Sequence, residues 1–158
     1  MKSFQKKVAV ITGAGSGIGR AISVQLAKEG AMLALTDINA EGLQETVGIC
    51  ESFSAEVFSK VSNVAKIDEV KAFTNDVIAK FGQADLIFNN AGIALGKKTL
   101  LESSYEEWER IMGVNVWGVI YGTKEFLPHL LKRPEAVVVN ISSVFGLAGI
   151  PEQTPYCT

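Results

Sequence analysis

The sequence predicts an α/β fold, a doubly wound parallel sheet, and three observations carry that reading. Short apolar runs alternate along the chain with longer stretches whose apolar residues recur every three to four positions. The short runs are apolar throughout instead of alternating with polar residues, as strands are when helices cover both faces of a sheet. The glycine and polar clusters Gly13–Gly19, Asp37, Asn63, Asn89–Gly92 and Ser142-Ser143 all stand where such a run ends. With right-handed crossovers those ends lie together at the carboxyl edge of the sheet, where ligands bind in folds of this class. The 158 residues suit a single domain, 1–158.

The elements follow in order. Val8–Ile11 is a β-branched run long enough for a buried strand and too short for a helix. After the glycine loop, Arg20–Lys28 turns helical, with Ile22 and Leu26 four apart, and Gly30 reads as its stop. Ala31–Thr36 is a second strand ending at Asp37, and Asn39 caps a helix whose inner face is Leu43, Val47 and Cys50. Glu56–Val61 is a third, weaker strand closed by Ser62-Asn63. Ile67, Val70, Phe73, Val77, Ile78 and Phe81 then keep helical spacing up to Gly82. Ala84–Phe88 reads as a continuous apolar strand. Ser104 with Glu107 resembles a capping box that opens a long helix towards Pro128, with Trp108, Met112, Trp117 and Phe126 as its packing residues. Ala136–Ile141 is the fifth strand, and no repeat, low-complexity segment or linker interrupts the series.

Composition narrows the partners. A hydrophobic fraction of 47% supports a sizeable core and 20% charged residues suit a solvated surface. A net charge of −2 leaves no basic footprint for nucleic acid. No apolar run approaches a membrane span, and the one after Lys2, Lys6 and Lys7 is broken by Thr12-Gly13 too soon for a secretory leader. Cys50 and Cys157 form no C-x-x-C and read as free thiols of a cytoplasmic protein. The lone His129 beside Pro128 reads as a surface residue, and no metal site is expected.

The chemistry begins in the stretch KVAVITGAGSGIG, Lys7–Gly19. A strand, a glycine loop and a helix N-terminus bind phosphate: the loop backbone can approach an anion, and the helix offers free N–H groups and its positive end. The spacing of Gly13, Gly17 and Gly19 is G-x3-G-x-G, and no Gly-Lys-Ser/Thr follows, which excludes a Walker-type loop. Ser16, Gly17, Ile18 and Gly19 form the turn into the helix. Asp37 ends the second strand 24 residues after Gly13, about where an acid meets an adenosine ribose. A carboxylate there accepts from both ribose hydroxyls and repels a 2′-phosphate, and Ile38 brings no compensating charge. The reading is a Rossmann-type sheet that takes NAD.

With Thr12-Gly13-x3-Gly17-x-Gly19, Asp37, Asn89-Asn90-Ala91-Gly92, Asn115, Asn140-Ile141-Ser142-Ser143 and Tyr156 in this order, the whole chain resembles the short-chain dehydrogenase/reductase family. The resemblance implies that the first loop cradles the pyrophosphate and that Asn90, Ala91 and Gly92 line the cofactor cleft. The family often has Asp-Val where this chain has Asn63-Val64; the Asn oxygen is expected to accept from an adenine amino group. The family's catalytic Ser lies thirteen residues before its Tyr, which selects Ser143 over Ser142. Ser143 is expected to hold the substrate oxygen, Tyr156 to exchange a proton with it, and Asn115 to tie a water relay through its side chain. The implied activity is interconversion of a small alcohol and a ketone, in a homo-oligomer assembled through the long helix, commonly a tetramer.

One departure bears on activity. The family's Tyr-x-x-x-Lys is incomplete here, because the chain stops at Thr158. Five strands are present of an expected seven. In the family that Lys binds the nicotinamide ribose and assists the Tyr, and without it the expectation is an incomplete or inactive form, poorly stable alone, with the fifth strand as an uncovered apolar edge. The alternatives are a non-catalytic NAD-binding or regulatory module and a reading frame with no stable fold.

Overall fold

The structure, a computed structural model, describes residues 3–157. Ten main elements follow in order: β1 Val8–Thr12, α1 Gly17–Lys28, β2 Met32–Asp37, α2 Ala40–Glu51, β3 Val57–Val61, α3 Ile67–Phe81, β4 Leu86–Asn89, α4 Tyr105–Met112, α5 Gly118–Leu130 and β5 Val137–Asn140. All pairings are parallel and the sheet order is β3-β2-β1-β4-β5. The chain therefore winds outward from β1 to β3 and then crosses back to the other side of β1. The switch point lies between β1 and β4, and a crevice opens there at the carboxyl edge.

Alternation along β1 divides the core. Ala9 and Ile11 face the layer of α1 and α2, where Leu26, Leu35, Leu43 and Val47 pack. Val8 and Val10 face the layer of α3 and α5, where Phe73, Val77 and Phe126 pack. A one-residue slip would exchange the two layers, so the register of the central strand is strongly specified. The caps behave as the sequence implies. The Asn39 side chain accepts from the Gly42 N–H, Gly82 closes α3 at φ 72°, and Ser104 and Glu107 form a complete capping box on α4.

Four expectations are corrected. The fully apolar pattern holds for β1 and the middle of β2; β3 and β5 are the two edges and are half-exposed along their length. The run Ala84–Phe88 is not continuous, because Asp85 lies fully buried within it just before β4. Its carboxylate accepts from the Val8 N–H (2.9 Å), the Gln83 side chain (2.9 Å) and Arg133 Nε (2.8 Å), with Lys7 at 3.8 Å. A buried acid is tolerable only when paired and hydrogen-bonded in this way. The long helix is not uniform either: Gly113–Trp117 is a π turn between α4 and α5, and Pro128 sits inside the last turn of α5. Finally, Trp117 is not a core residue. It is 49% exposed and stacks on Tyr121 at 5.7 Å, whereas Phe126 is buried and Trp108 and Met112 are half-buried. No described helix is long and apolar enough to cross a membrane.

Candidate functional site

The glycine loop is welded to the turn after β4 across the switch point. Thr12 Oγ1 accepts from the N–H groups of Asn90 (3.0 Å) and Ala91 (3.0 Å). Asn90 Nδ2 returns two bonds, to the carbonyls of Thr12 (2.9 Å) and Gly13 (3.1 Å). This packing requires two of the glycines. A Cβ on Gly13, whose φ is +65°, would lie 2.8 Å from Ala91 Cα, and one on Gly19 would collide with the Gly13 carbonyl. Those positions are needed by the protein's own backbone. Gly17, at φ +50°, faces open space, with nothing within 4 Å of an added Cβ. It is the glycine of this loop that leaves room for a ligand.

Ser16 precedes α1 in extended backbone and its side chain makes no cap. The first N–H bonded to the helix's own N-terminal turn is that of Arg20, to the Ser16 carbonyl at 3.1 Å. Gly17 and Ile18, at the start of the helix, thus border the cleft beside the exposed Ser16, an arrangement that suits an anion. Arg20 escaped the sequence reading. Its guanidinium donates to Thr46 Oγ1 (2.9 Å), to the carbonyls of Gly15 (2.5 Å) and Gly42 (3.1 Å), and to Glu45 (2.8 Å), locking the loop to α2. Its signal was an arginine in the first turn of a helix, where the dipole disfavours a cation unless something local holds it.

Asp37 ends β2 with both carboxylate oxygens oriented by backbone. Oδ2 accepts from the Gly15 N–H (2.8 Å) and Oδ1 from the Asn39 N–H (2.8 Å). The carboxylate remains half-exposed and borders a cleft of about 780 Å³ with Gly17, Asn63, Val64 and Asn90. Asn63 makes its own turn: its Oδ1 accepts from the Ala65 N–H (3.0 Å), and its backbone N–H donates to Glu69 (2.7 Å). The expected adenine contact would share an oxygen that already has a partner. The wall continues through Val64 into the helix, since a Cβ on Gly118 would lie 2.9 Å from Val64 Cγ2. Lys66 and Arg110 also border this cleft, and neither was read from the sequence.

A second cleft, of about 630 Å³, shares Asn90, Ala91, Gly92 and Ile93 with the first. Asn115, Ser142, Ser143 and Tyr156 all line it, so the three expected site residues Asn115, Ser143 and Tyr156 converge. Ser143 Oγ accepts from the Phe145 N–H (3.2 Å), and Phe145 meets the Tyr156 ring edge-on at 6.1 Å. Tyr156 closes a 3₁₀ turn, Thr154–Tyr156. Asn115 has a structural part besides the expected one. Its Oδ1 accepts from the Ile93 N–H (2.9 Å) and its Nδ2 donates to the Ile93 carbonyl (2.9 Å), so the side chain also holds the cleft wall, and a water relay would use its second lone pair or second N–H. A π turn at this point is the irregularity that often marks a functional site.

Neither cysteine belongs to this chemistry. Burial pushes the Cys50 thiol up to about 11, which keeps it protonated and unreactive, and Cys157 is half-buried and free. Among the described residues no cluster of His, Cys, Asp and Glu could hold a metal ion.

Comparison with known proteins agrees with this geometry. The family model described as short chain dehydrogenase matches residues 7–158. The chain is 46% identical over 156 residues to SadH of Mycobacterium tuberculosis, which is named as an oxidoreductase; the match covers 99% of this chain and 56% of that protein. It is 38% identical to the levodione reductase of Leifsonia aquatica, covering 97% of this chain and 58% of that one. A short chain dehydrogenase/reductase from Burkholderia phymatum, solved in complex with NAD, superposes with a TM-score of 0.94 at 41% identity, covering 99% of this chain and 56% of its own. The chain thus spans little more than half the length of these relatives.

Proposed function

The chain belongs to the short-chain dehydrogenase family, and from that premise we propose that it binds NAD along the two joined clefts and interconverts an alcohol and a carbonyl by hydride transfer. The observation that carries the reading is the junction at Asn90–Ile93, which joins the helix start at Gly17 and the Asp37 carboxylate to Ser143 and Tyr156. The residues fit the cofactor. Gly17 leaves the space, the uncapped helix N-terminus at Gly17 and Ile18 suits a pyrophosphate, and the oriented Asp37 carboxylate suits a ribose diol without a phosphate. NAD bound there would supply the hydride acceptor, or in its reduced form the donor.

The chain's own residues would do the rest. The Ser143 hydroxyl donates a hydrogen bond to the substrate oxygen. The Tyr156 phenol gives its proton to a carbonyl oxygen during reduction and, ionised, takes one from an alcohol during oxidation. Asn115 holds Ile93 and with it the wall the two clefts share. Ala94, Val116, Val119 and Ile141 offer an apolar surface to the body of the substrate, which supports a neutral alcohol or ketone. The free thiols of Cys50 and Cys157 support a reducing compartment such as the cytoplasm.

Cofactor choice tests the reading. NADH should bind the protein much more tightly than NADPH, and Asp37→Ala should narrow the gap about tenfold or more, the worth of a charged hydrogen bond. Titration of NADH and NADPH fluorescence measures both. Equal affinity of the unmodified protein for the two cofactors overturns the assignment of Asp37; binding without turnover of any secondary alcohol leaves a non-catalytic NAD-binding module.

A further inference from the structure

The connection from β4 to α4 meets the Tyr156 segment at Lys98. The Lys98 N–H donates to the Glu152 carbonyl (2.8 Å), and Lys98 pairs in parallel with Gln153. The Gln153 carbonyl in turn accepts from the N–H groups of Tyr156 (3.0 Å) and Cys157 (3.0 Å). Lys98 therefore touches the turn that carries the phenol one hydrogen bond away from it.

Its side chain is anchored at the other end. Lys98 Nζ lies 2.5 Å from Glu107 Oε1, and the second oxygen of that carboxylate accepts from the Ser104 N–H (3.0 Å) in the capping box of α4. Glu107 is held by the helix terminus, and its negative charge suits that end of the dipole. The tie thus runs from α4 through Glu107 and Lys98 to Gln153 and Tyr156. The Tyr156 turn needs an external hold, because Glu152 is a non-glycine residue at φ +62°. Backbone in that region persists only where its surroundings over-determine it.

We propose that Lys98 and Glu107 are positioning residues for the reaction, their ion pair setting where the Tyr156 phenol lies in the cleft. The proposal rests on the reading of Tyr156 as the proton-exchanging group. An ion pair that stays half in solvent contributes little to global stability. This one acts through geometry, since a small displacement of a reacting group can cost a hundredfold in rate. The cleft bordered by Gly17 and Asp37 owes nothing to it, because neither residue borders that cleft.

The experiment compares the intact protein with Lys98→Met, Glu107→Gln, the double variant and Lys98→Arg. Gln at position 107 still accepts from the Ser104 N–H, so the cap survives the loss of charge. Lys98→Met and Glu107→Gln should each lower kcat about tenfold or more, with NADH affinity and the KM for NAD unchanged. The double variant should lose no more than the singles, and Lys98→Arg should recover most of the rate. Hydrogen exchange at the Tyr156 and Cys157 amides should quicken in both single variants while that of Trp108 in α4 does not. An unchanged kcat in Lys98→Met overturns the proposal, and so does a loss of rate matched by a loss of NADH affinity. If the protein turns over no alcohol, or Tyr156→Phe keeps full activity, the proposed chemistry fails; unchanged amide exchange in Lys98→Met then separately rejects the tie.

Discussion

Gly13, Gly17 and Gly19 stand in one loop for different physical reasons, and substitution separates them. Gly19 has no room for a Cβ against the Gly13 carbonyl, and Gly13 lies against the Ala91 backbone at positive φ. Gly19→Val should leave little folded protein, since no flexible side chain can move aside. Gly17→Ala meets no atom and carries only the left-handed backbone penalty, about 1 kcal/mol or slightly more. It should stay folded and bind NADH more weakly, because the methyl projects into the space kept for the ligand. Thermal melts with NADH titration measure both. Unweakened binding in a folded Gly17→Ala variant would remove the loop from the cofactor site.

At the scale of the element, the N-terminus of α4 and the connection before it are held by acids. Four exposed carboxyls lie below the usual glutamate value of 4.5. Glu107 is lowered first by its bond from Lys98, Glu106 by a bond from Ser104, and Glu102 by the Thr99 N–H. Glu69, at the start of α3, is lowered first by the Asn63 N–H. A depressed folded pKa contributes stability that is present above the unfolded value and disappears as pH falls through the folded one. The melting temperature should therefore hold steady down to about pH 5 and decline below 4.5, with the amides of the first turn of α4 losing protection early. Glu107→Gln should flatten the decline. A decline that begins near neutral pH would point to another group.

At the scale of the molecule, both sheet edges and one helix face remain open to solvent. Trp117, Ile120, Leu127 and Leu131 are exposed along α5, and their spacing places them on one stripe. That stripe supports the proposal that the protein self-associates through this helix. Leu127→Asp with Leu131→Asp should lower the mass measured by light scattering without unfolding the chain. A monomeric parent protein would reject the proposal. Each contact in a two-fold interface occurs twice, so two charges per copy become four in the pair.

Periodicity and local chemistry sufficed for the order of the elements, the caps at Asn39, Gly82 and Ser104, and the location of the glycine loop. Each depends on residues within a few positions of one another, where backbone geometry leaves few choices. The placement of Asp37 at a strand end was legible for the same reason. Only the tertiary structure decided what fills the space around those residues. The glycines at 13 and 19 answer to the backbone of a distant turn, and Asn115 spends both amide groups on Ile93. Buried Asp85 finds its Arg133 partner 48 residues away, and Lys98 reaches Gln153 from the far side of α4, α5 and β5. Pairings of that range are set by the crossing of the chain at the β1–β4 switch point, and a local sequence pattern carries no record of which side chains a crossover brings together.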